Sequence, residues 1–84
     1  MKSRFLYTYV LLCSDSKLYI GHTADLRLRL DQHKKGAVQA TAYRLPLRLV
    51  YYEACLDLSL AAVRERQLKT GFGRAYLKRR LCLP

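Results

Sequence analysis

Tyr9 and Tyr19 stand ten residues apart, Arg29 and His33 stand one helical turn apart, and Glu65 falls in the middle of an otherwise apolar helical stripe. Two phenols, a guanidinium, an imidazole and a lone carboxylate are the parts of a phosphodiester-cleaving site. The carboxylate would hold a divalent cation, which polarises a phosphate oxygen and helps ionise a bound water. The guanidinium would stabilise charge growing on the phosphate. A phenol would relay or accept the proton of the attacking water. Its unperturbed pKa of ~10 leaves about one phenol in a thousand ionised at neutral pH, so nearby cations must favour the phenolate. A single acidic ligand suits Mg²⁺ or Mn²⁺, which keep several waters and borrow substrate oxygens. Each residue taken singly also has a plainer reading. Glu65 would pair with Arg29, the tyrosines would be core, and His33 would be a packed, hydrogen-bonded histidine.

These side chains need a scaffold, and the chain supplies its signals in order. Phe5 to Cys13 is rich in aromatic and β-branched residues and reads as a strand. Both of its faces are largely apolar, which puts it at the centre of a sheet. Ser14-Asp15-Ser16 is a turn, and Lys17 to Gly21 is the return strand of a hairpin. Period two places Tyr7, Tyr9 and Leu11 on one face of the first strand, and Lys17, Tyr19 and Gly21 on one face of the second. Gly21 lets the backbone turn or lets something approach it closely. Thr23 is the expected cap of a helix running to about Lys35 and ending at Gly36. Leu26, Arg29, Leu30 and His33 share one stripe of it, and Leu28 points the other way. Ala37 to Leu45 reads as a loop, and Pro46 opens a third strand, Leu47 to Glu53. Asp57 caps a second helix running to about Thr70, with Leu58, Ala61, Ala62, Glu65 and Leu68 on its inner stripe. Gly71 and Gly73 break the chain before a short basic helix, Arg74 to Leu81. The expected fold is α+β: a small, mostly antiparallel three-stranded sheet with flanking helices, in the order β-β-α-β-α-α.

Composition narrows the partners. Sixteen basic residues against six acids give a net charge of +10. Such a surface suits a polyanion, nucleic acid first, although an anionic membrane surface or an acidic protein would also satisfy it. No apolar run approaches the ~20 residues of a membrane span, and the basic start Met1-Lys2-Ser3-Arg4 leads into a strand and not a signal peptide. Cys13, Cys55 and Cys82 are odd in number and lack close paired spacing. That argues against a disulfide framework or a cysteine zinc site, and for a reducing cytoplasm. The length fits one domain, residues 1–84.

Tyr7-Thr8-Tyr9 and Tyr19-Ile20-Gly21 resemble the two half-motifs of the GIY-YIG nuclease family. The resemblance continues through Asp25-Leu26-x-x-Arg29-Leu30-x-x-His33, Thr41-x-x-Arg44-x-Pro46 and Leu49-Val50-Tyr51-Tyr52-Glu53. It extends through Arg64-Glu65-x-x-Leu68-Lys69 and Gly71-x-Gly73-Arg74-x-x-Leu77-Lys78-Arg79, and so covers nearly the whole chain. Within the family the chain is similar to very short, single-domain bacterial members that resemble the nuclease domain of an excision-repair protein. The first motif departs from the pattern, keeping only its tyrosine.

The resemblance implies a metal-dependent DNA endonuclease, with a place in repair or recombination. It assigns the motif tyrosines to Tyr9 and Tyr19, the base role going to Tyr9 first. It makes Arg29 the catalytic arginine, His33 the histidine one turn later, and Glu65 the metal-binding carboxylate, with Mg²⁺ or Mn²⁺ as the ion and no other small-molecule cofactor. Gly21, His22, Thr41, Arg44, Lys69, Arg74 and Lys78 are the candidate DNA contacts; for His22 an incidental position beside the site is the favoured alternative. Two other functions compete: a weak or inactive nucleic-acid-binding module of the same fold, and a small basic protein of a larger assembly. The second explains the charge but not the polar stripe residues.

Overall fold

The structure, a computed structural model, describes residues 4–82. Met1, Lys2 and Ser3 of the basic start lie outside the described residues. The elements run β1 (Leu6–Leu12), β2 (Leu18–Thr23), α1 (Leu26–Lys34), β3 (Arg48–Cys55), α2 (Leu58–Leu68) and α3 (Gly71–Leu81). The order is β-β-α-β-α-α and the class α+β, as the sequence pattern predicts. The strands lie β2-β1-β3, both pairings antiparallel. β1 is central, and its Thr8, Tyr9, Val10 and Leu11 are all buried.

The two faces of β1 have separate roles. Val10 pairs with Ile20, and both pack with Leu68 of α2 and Leu77 of α3 to form the apolar core. A β-bulge opposite Val10 and Leu11 leaves Val50 and Tyr51 both packed on this core. Thr8, on the same face, donates its hydroxyl to the Ala61 carbonyl of α2 at 3.0 Å. The alternate face carries Tyr9 beside Gly21, and Leu11 beside Tyr19. It meets α1 through the polar contacts of Tyr9 with Arg29 and His33.

Several element ends differ from the sequence reading. β2 runs on to Thr23, which pairs with Tyr7, so the cap of α1 moves to Asp25. The Asp25 carboxylate accepts from the Leu28 N–H at 3.0 Å, and Thr23 Oγ1 accepts from the Asp25 N–H. Gly36, at φ +76°, ends that helix as expected. Leu58, assigned to the inner stripe of α2, is 56% exposed at the first residue of the helix.

The largest difference is at α3, which starts at Gly71 and not Arg74. Thr70 caps it, accepting from the Gly73 N–H at 3.2 Å. Gly73 is not a breaker. It lets α3 lie against the end of α2, because a Cβ there would collide with the backbone of Gln67 and Leu68. Among the described residues no helix is long and apolar enough to cross a membrane.

Candidate active site

Tyr9 enters from the middle of the central strand and is 1% exposed. Its ring lies directly over Gly21 of the neighbouring strand, where a Cβ would sit 2.7 Å from the phenol oxygen. Gly21 is therefore a place vacated for Tyr9. The Tyr19 ring is 6.4 Å from that of Tyr9 and 5.2 Å from that of His33. Tyr19 is half-buried, less enclosed than Tyr9, and its phenol also lies within hydrogen-bonding reach of Arg29.

His33 is completely buried and is held at both ring nitrogens. Nε2 lies 2.8 Å from the Tyr9 hydroxyl and Nδ1 lies 2.8 Å from Thr41 Oγ1. The Thr41 hydroxyl proton points to the Val38 carbonyl, at the long distance of 3.5 Å. With that proton committed, Thr41 accepts from Nδ1–H, and Nε2 presents its lone pair to Tyr9. The Arg29 Nε–H donates to the Tyr9 oxygen at 3.4 Å, and Nη1 donates to Gln32 Oε1 at 3.2 Å. A chain of donors thus runs Arg29 → Tyr9 → His33 → Thr41 → Val38.

The electrostatics fit this order. Burial lowers the His33 pKa, and the Arg29 charge lowers it further, so the imidazole is neutral. The hydrogen bond to Tyr9 raises the Arg29 pKa above its usual value despite burial, so it stays charged. Burial raises the Tyr9 phenol more than the Arg29 hydrogen bond lowers it, and the neighbouring Tyr19 and Glu65 push it the same way. Nearby cations therefore do not make Tyr9 a resting phenolate. Its burial also keeps it from an attacking water.

Glu65 comes from α2, on the opposite face of the sheet, and reaches His22 of the edge strand β2. Oε1 is 2.7 Å from His22 Nδ1, and Oε2 accepts from Lys69 Nζ at 2.8 Å. Burial pushes the Glu65 carboxyl up, but the Lys69 and His22 hydrogen bonds outweigh it and hold it below the usual carboxylate range. Among the described residues its side-chain partners are these two and not Arg29. The Glu65 charge is nonetheless felt at Tyr9, across β2. Gly21 has no side chain, Tyr9 lies over it, and the next residue, His22, holds Glu65.

Glu65 is an ionised oxygen donor, which fits a hard cation such as Mg²⁺ or Mn²⁺. No group of three or more His, Cys, Asp or Glu that could hold a metal occurs among the described residues. Water and substrate oxygens would have to complete any shell there. Lys69, with a side chain 51% exposed, is free to swing away from Oε2.

The remaining candidates divide. Thr41 is fully buried behind His33 and has no surface to offer a phosphate. Arg44 is paired with Asp15, Nε to Oδ2 at 2.9 Å, and its carbonyl accepts from the Ser14 N–H. It pins the loop after α1 to the hairpin turn. Arg74 and Lys78 are exposed on α3. One contributor, Gln32, and the role of another, His22, escape a reading of the sequence. Gln32 anchors Arg29, a partnership its i+3 spacing on a helix permits. His22, favoured as incidental, is the contact that fixes Glu65, and only tertiary structure brings that pair together.

Known proteins resemble this chain in sequence and in fold. UPF0213 proteins from Streptococcus pyogenes serotypes M5 and M3 are 48% identical to it over 54 residues, 63% of this chain and 59% of theirs. The match therefore spans less than two thirds of those relatives. A solution NMR structure of a UPF0213 protein from Bacillus halodurans superposes with a TM-score of 0.55 at 30% identity, covering 87% of this chain and 81% of that one. Residues 5–79 match the GIY-YIG catalytic domain, and with the two motif tyrosines already side by side, the chain belongs to the GIY-YIG nuclease family.

Proposed function

We propose that the chain is a divalent-metal-dependent endonuclease that hydrolyses phosphodiester bonds in DNA. The observation that carries this reading is the state of Arg29. It is a half-buried guanidinium whose side-chain hydrogen bonds go to neutral partners, Tyr9 and Gln32, with Tyr19 the weakest of them. Its charge is not cancelled, so it is available to a phosphate.

Arg29 binds a non-bridging oxygen of the scissile phosphate and stabilises the charge that grows there. Tyr9 accepts from Arg29 and donates to His33, and so fixes the direction of the guanidinium. It is a positioning residue. Tyr19, less buried than Tyr9, meets the attacking water and handles its proton. Glu65 would hold Mg²⁺ or Mn²⁺, with His22 fixing the carboxylate. The ion, when bound, polarises a phosphate oxygen and eases ionisation of water. Arg74 and Lys78 grip the backbone without reading sequence. A place in repair or recombination rests on the family resemblance, and a cytoplasmic one on the odd, unpaired cysteines Cys13, Cys55 and Cys82.

One observation favours a second reading. Both oxygens of Glu65 are already occupied by nitrogen donors, as a binding module without metal chemistry would have them. A plasmid-nicking assay with Mg²⁺, Mn²⁺ or EDTA separates the two. The nuclease cuts with metal, and Glu65→Gln and Arg29→Ala bind DNA without cutting. Tight binding with no cutting under either metal establishes the module instead.

A further inference from the structure

Two aromatic rings among the described residues are almost fully exposed, Tyr43 and Phe72, and the second opens α3 directly after α2, the helix that carries Glu65. Phe72 is 93% exposed in the first turn of α3. Three residues before it, Lys69 holds Glu65. The turn is firmly seated. Thr70 caps it, Gly73 lies on the backbone of Gln67 and Leu68, and Leu77 is completely buried one turn on. The Phe72 ring therefore cannot turn inward without undoing the α2–α3 contact. At 100° per residue Phe72, Ala75 and Arg79 form one stripe, and all three are exposed. The stripe offers an aromatic face, then a small residue that leaves space, then a cation.

An apolar ring held in water beside cations, on a chain of net charge +10, matches an anionic partner that also carries flat apolar faces. Single-stranded nucleic acid has that chemistry, with bases that stack on aromatic rings and a backbone that follows the positive charge. A base within an intact duplex is already stacked on both sides, and inserting a protein ring requires unstacking a step, at a few kcal/mol.

We propose that Phe72 is a stacking platform for an unpaired nucleobase next to the scissile phosphate, with Arg79 contacting the backbone along the same stripe. The preferred substrate is then single-stranded, frayed or gapped DNA. This rests on the nucleic-acid reading above but not on cleavage, so it is tested by binding in EDTA.

The chain has no tryptophan, so Phe72→Trp is a unique reporter at an exposed position. Its emission is expected to be quenched on titration with an unstructured single-stranded oligonucleotide. Heparin, a polyanion without bases, should bind and leave it unquenched. Phe72→Ala should lose about fivefold or more in affinity for the single strand, with the same salt slope and with blunt-duplex affinity kept within about twofold. Unchanged emission on a bound oligonucleotide, equal quenching by heparin, or a response to anionic vesicles instead of DNA overturns the proposal. Quenching by a protein that never cuts upholds it and removes only the nuclease reading.

Discussion

The molecule holds two clusters built from the same side chains. One has Tyr9, Tyr19, Arg29 and Glu65; the other has Tyr51, Tyr76, Arg64 and Glu53. In the second cluster every group is used up by the others. Arg64 Nε donates to both Glu53 oxygens at 2.9 Å, and its guanidinium lies 5.2 Å from the centre of the Tyr76 ring. The Tyr51 hydroxyl donates to Glu53 at 2.7 Å and lies 2.8 Å from that of Tyr76. Burial, together with the Tyr76 and Glu53 hydrogen bonds, raises the Tyr51 pKa far above its usual value. A cleft of ≈ 260 Å³ opens beside Glu53 and Arg64, yet no uncancelled charge lines it. In the first cluster the guanidinium and the carboxylate are kept apart. Arg29 rests on neutral oxygens, and Glu65 is held by His22 of β2 and by Lys69 at the end of its own helix. Composition does not distinguish a brace from a site; separation of opposite charges does.

Breaking each arginine tests that difference most strongly. Arg29→Ala is expected to lower nicking by about 100-fold or more, with DNA binding retained and little change in melting temperature. Arg64→Ala should do the reverse. It leaves Glu53 without its charge partner, at about 1–2 kcal/mol given its partial exposure. The melting temperature should fall by roughly 5–10 °C, while the nicking rate of folded protein stays unchanged. Thermal melts and plasmid nicking on both variants would measure this double dissociation. Equal effects on both properties in both variants would erase the contrast.

The tyrosines sharpen it next. Tyr19→Phe removes the phenol proposed to meet water and is expected to cost about 100-fold in rate. Tyr9→Phe leaves the Arg29 donor and His33 Nε2 without their shared partner. A loss of about tenfold in rate and about 1 kcal/mol in stability is expected. Single-turnover nicking beside urea unfolding would rank the two. A Tyr9 variant slower than the Tyr19 variant returns the proton-handling role to Tyr9.

Much of this is legible in the sequence, and the parts that are not share a cause. Helical period places Arg29 and His33 on one stripe and Glu65 on another, and strand period puts Tyr9 and Leu11 on one face of the first strand and Tyr19 and Gly21 on one face of the second. Those face assignments are local and survive folding, whereas the register that sets Tyr9 against Gly21 and Leu11 against Tyr19 is seen only in the folded sheet. Periodicity gives a face, not a depth. It does not tell that Tyr9 is sealed while Tyr19 is less enclosed, nor that burial outweighs Arg29 in setting the Tyr9 pKa. The pairings of His22 with Glu65 and of Arg44 with Asp15 join residues far apart in sequence and leave no periodic trace. Gly73 reads wrongly as a breaker because glycine serves both to end helices and to let them pack closely; the Thr70 cap three residues earlier is the signal that separates the two.

The holders of the carboxylates give a smaller contrast. Lys69 reaches Glu65 through one exposed nitrogen, whereas Arg64 grips Glu53 with a rigid fork. Lys69→Gln is therefore expected to lower the Mg²⁺ or Mn²⁺ concentration for half-maximal nicking by about threefold, the scale of an exposed ion pair. A metal titration of both proteins reads this directly. A higher metal requirement in the variant would mean that Lys69 serves the substrate and does not compete with the ion.

The finest distinction is in pH. The folded His33 pKa is lowered, by burial and then by the Arg29 charge, with Tyr9 and Tyr19 the other groups facing the ring. The unfolded chain therefore binds this proton more readily. Stability from a neutral His33 is complete above ~6.5 and declines as pH falls below that value toward the folded pKa. Glu53 titrates in a different window. Burial raises its carboxyl, but the hydrogen bonds from Arg64 and Tyr51 outweigh this and lower the pKa. Its contribution is complete above the unfolded carboxylate value of ~4.3 and is lost as pH falls through the lower folded one. Between about pH 7.5 and about pH 5.5 the wild-type urea midpoint should fall further than that of His33→Gln, and Glu53→Gln should track the wild type. The open cluster would then weaken first on acidification, by protonation of its buried imidazole, while the closed one still holds.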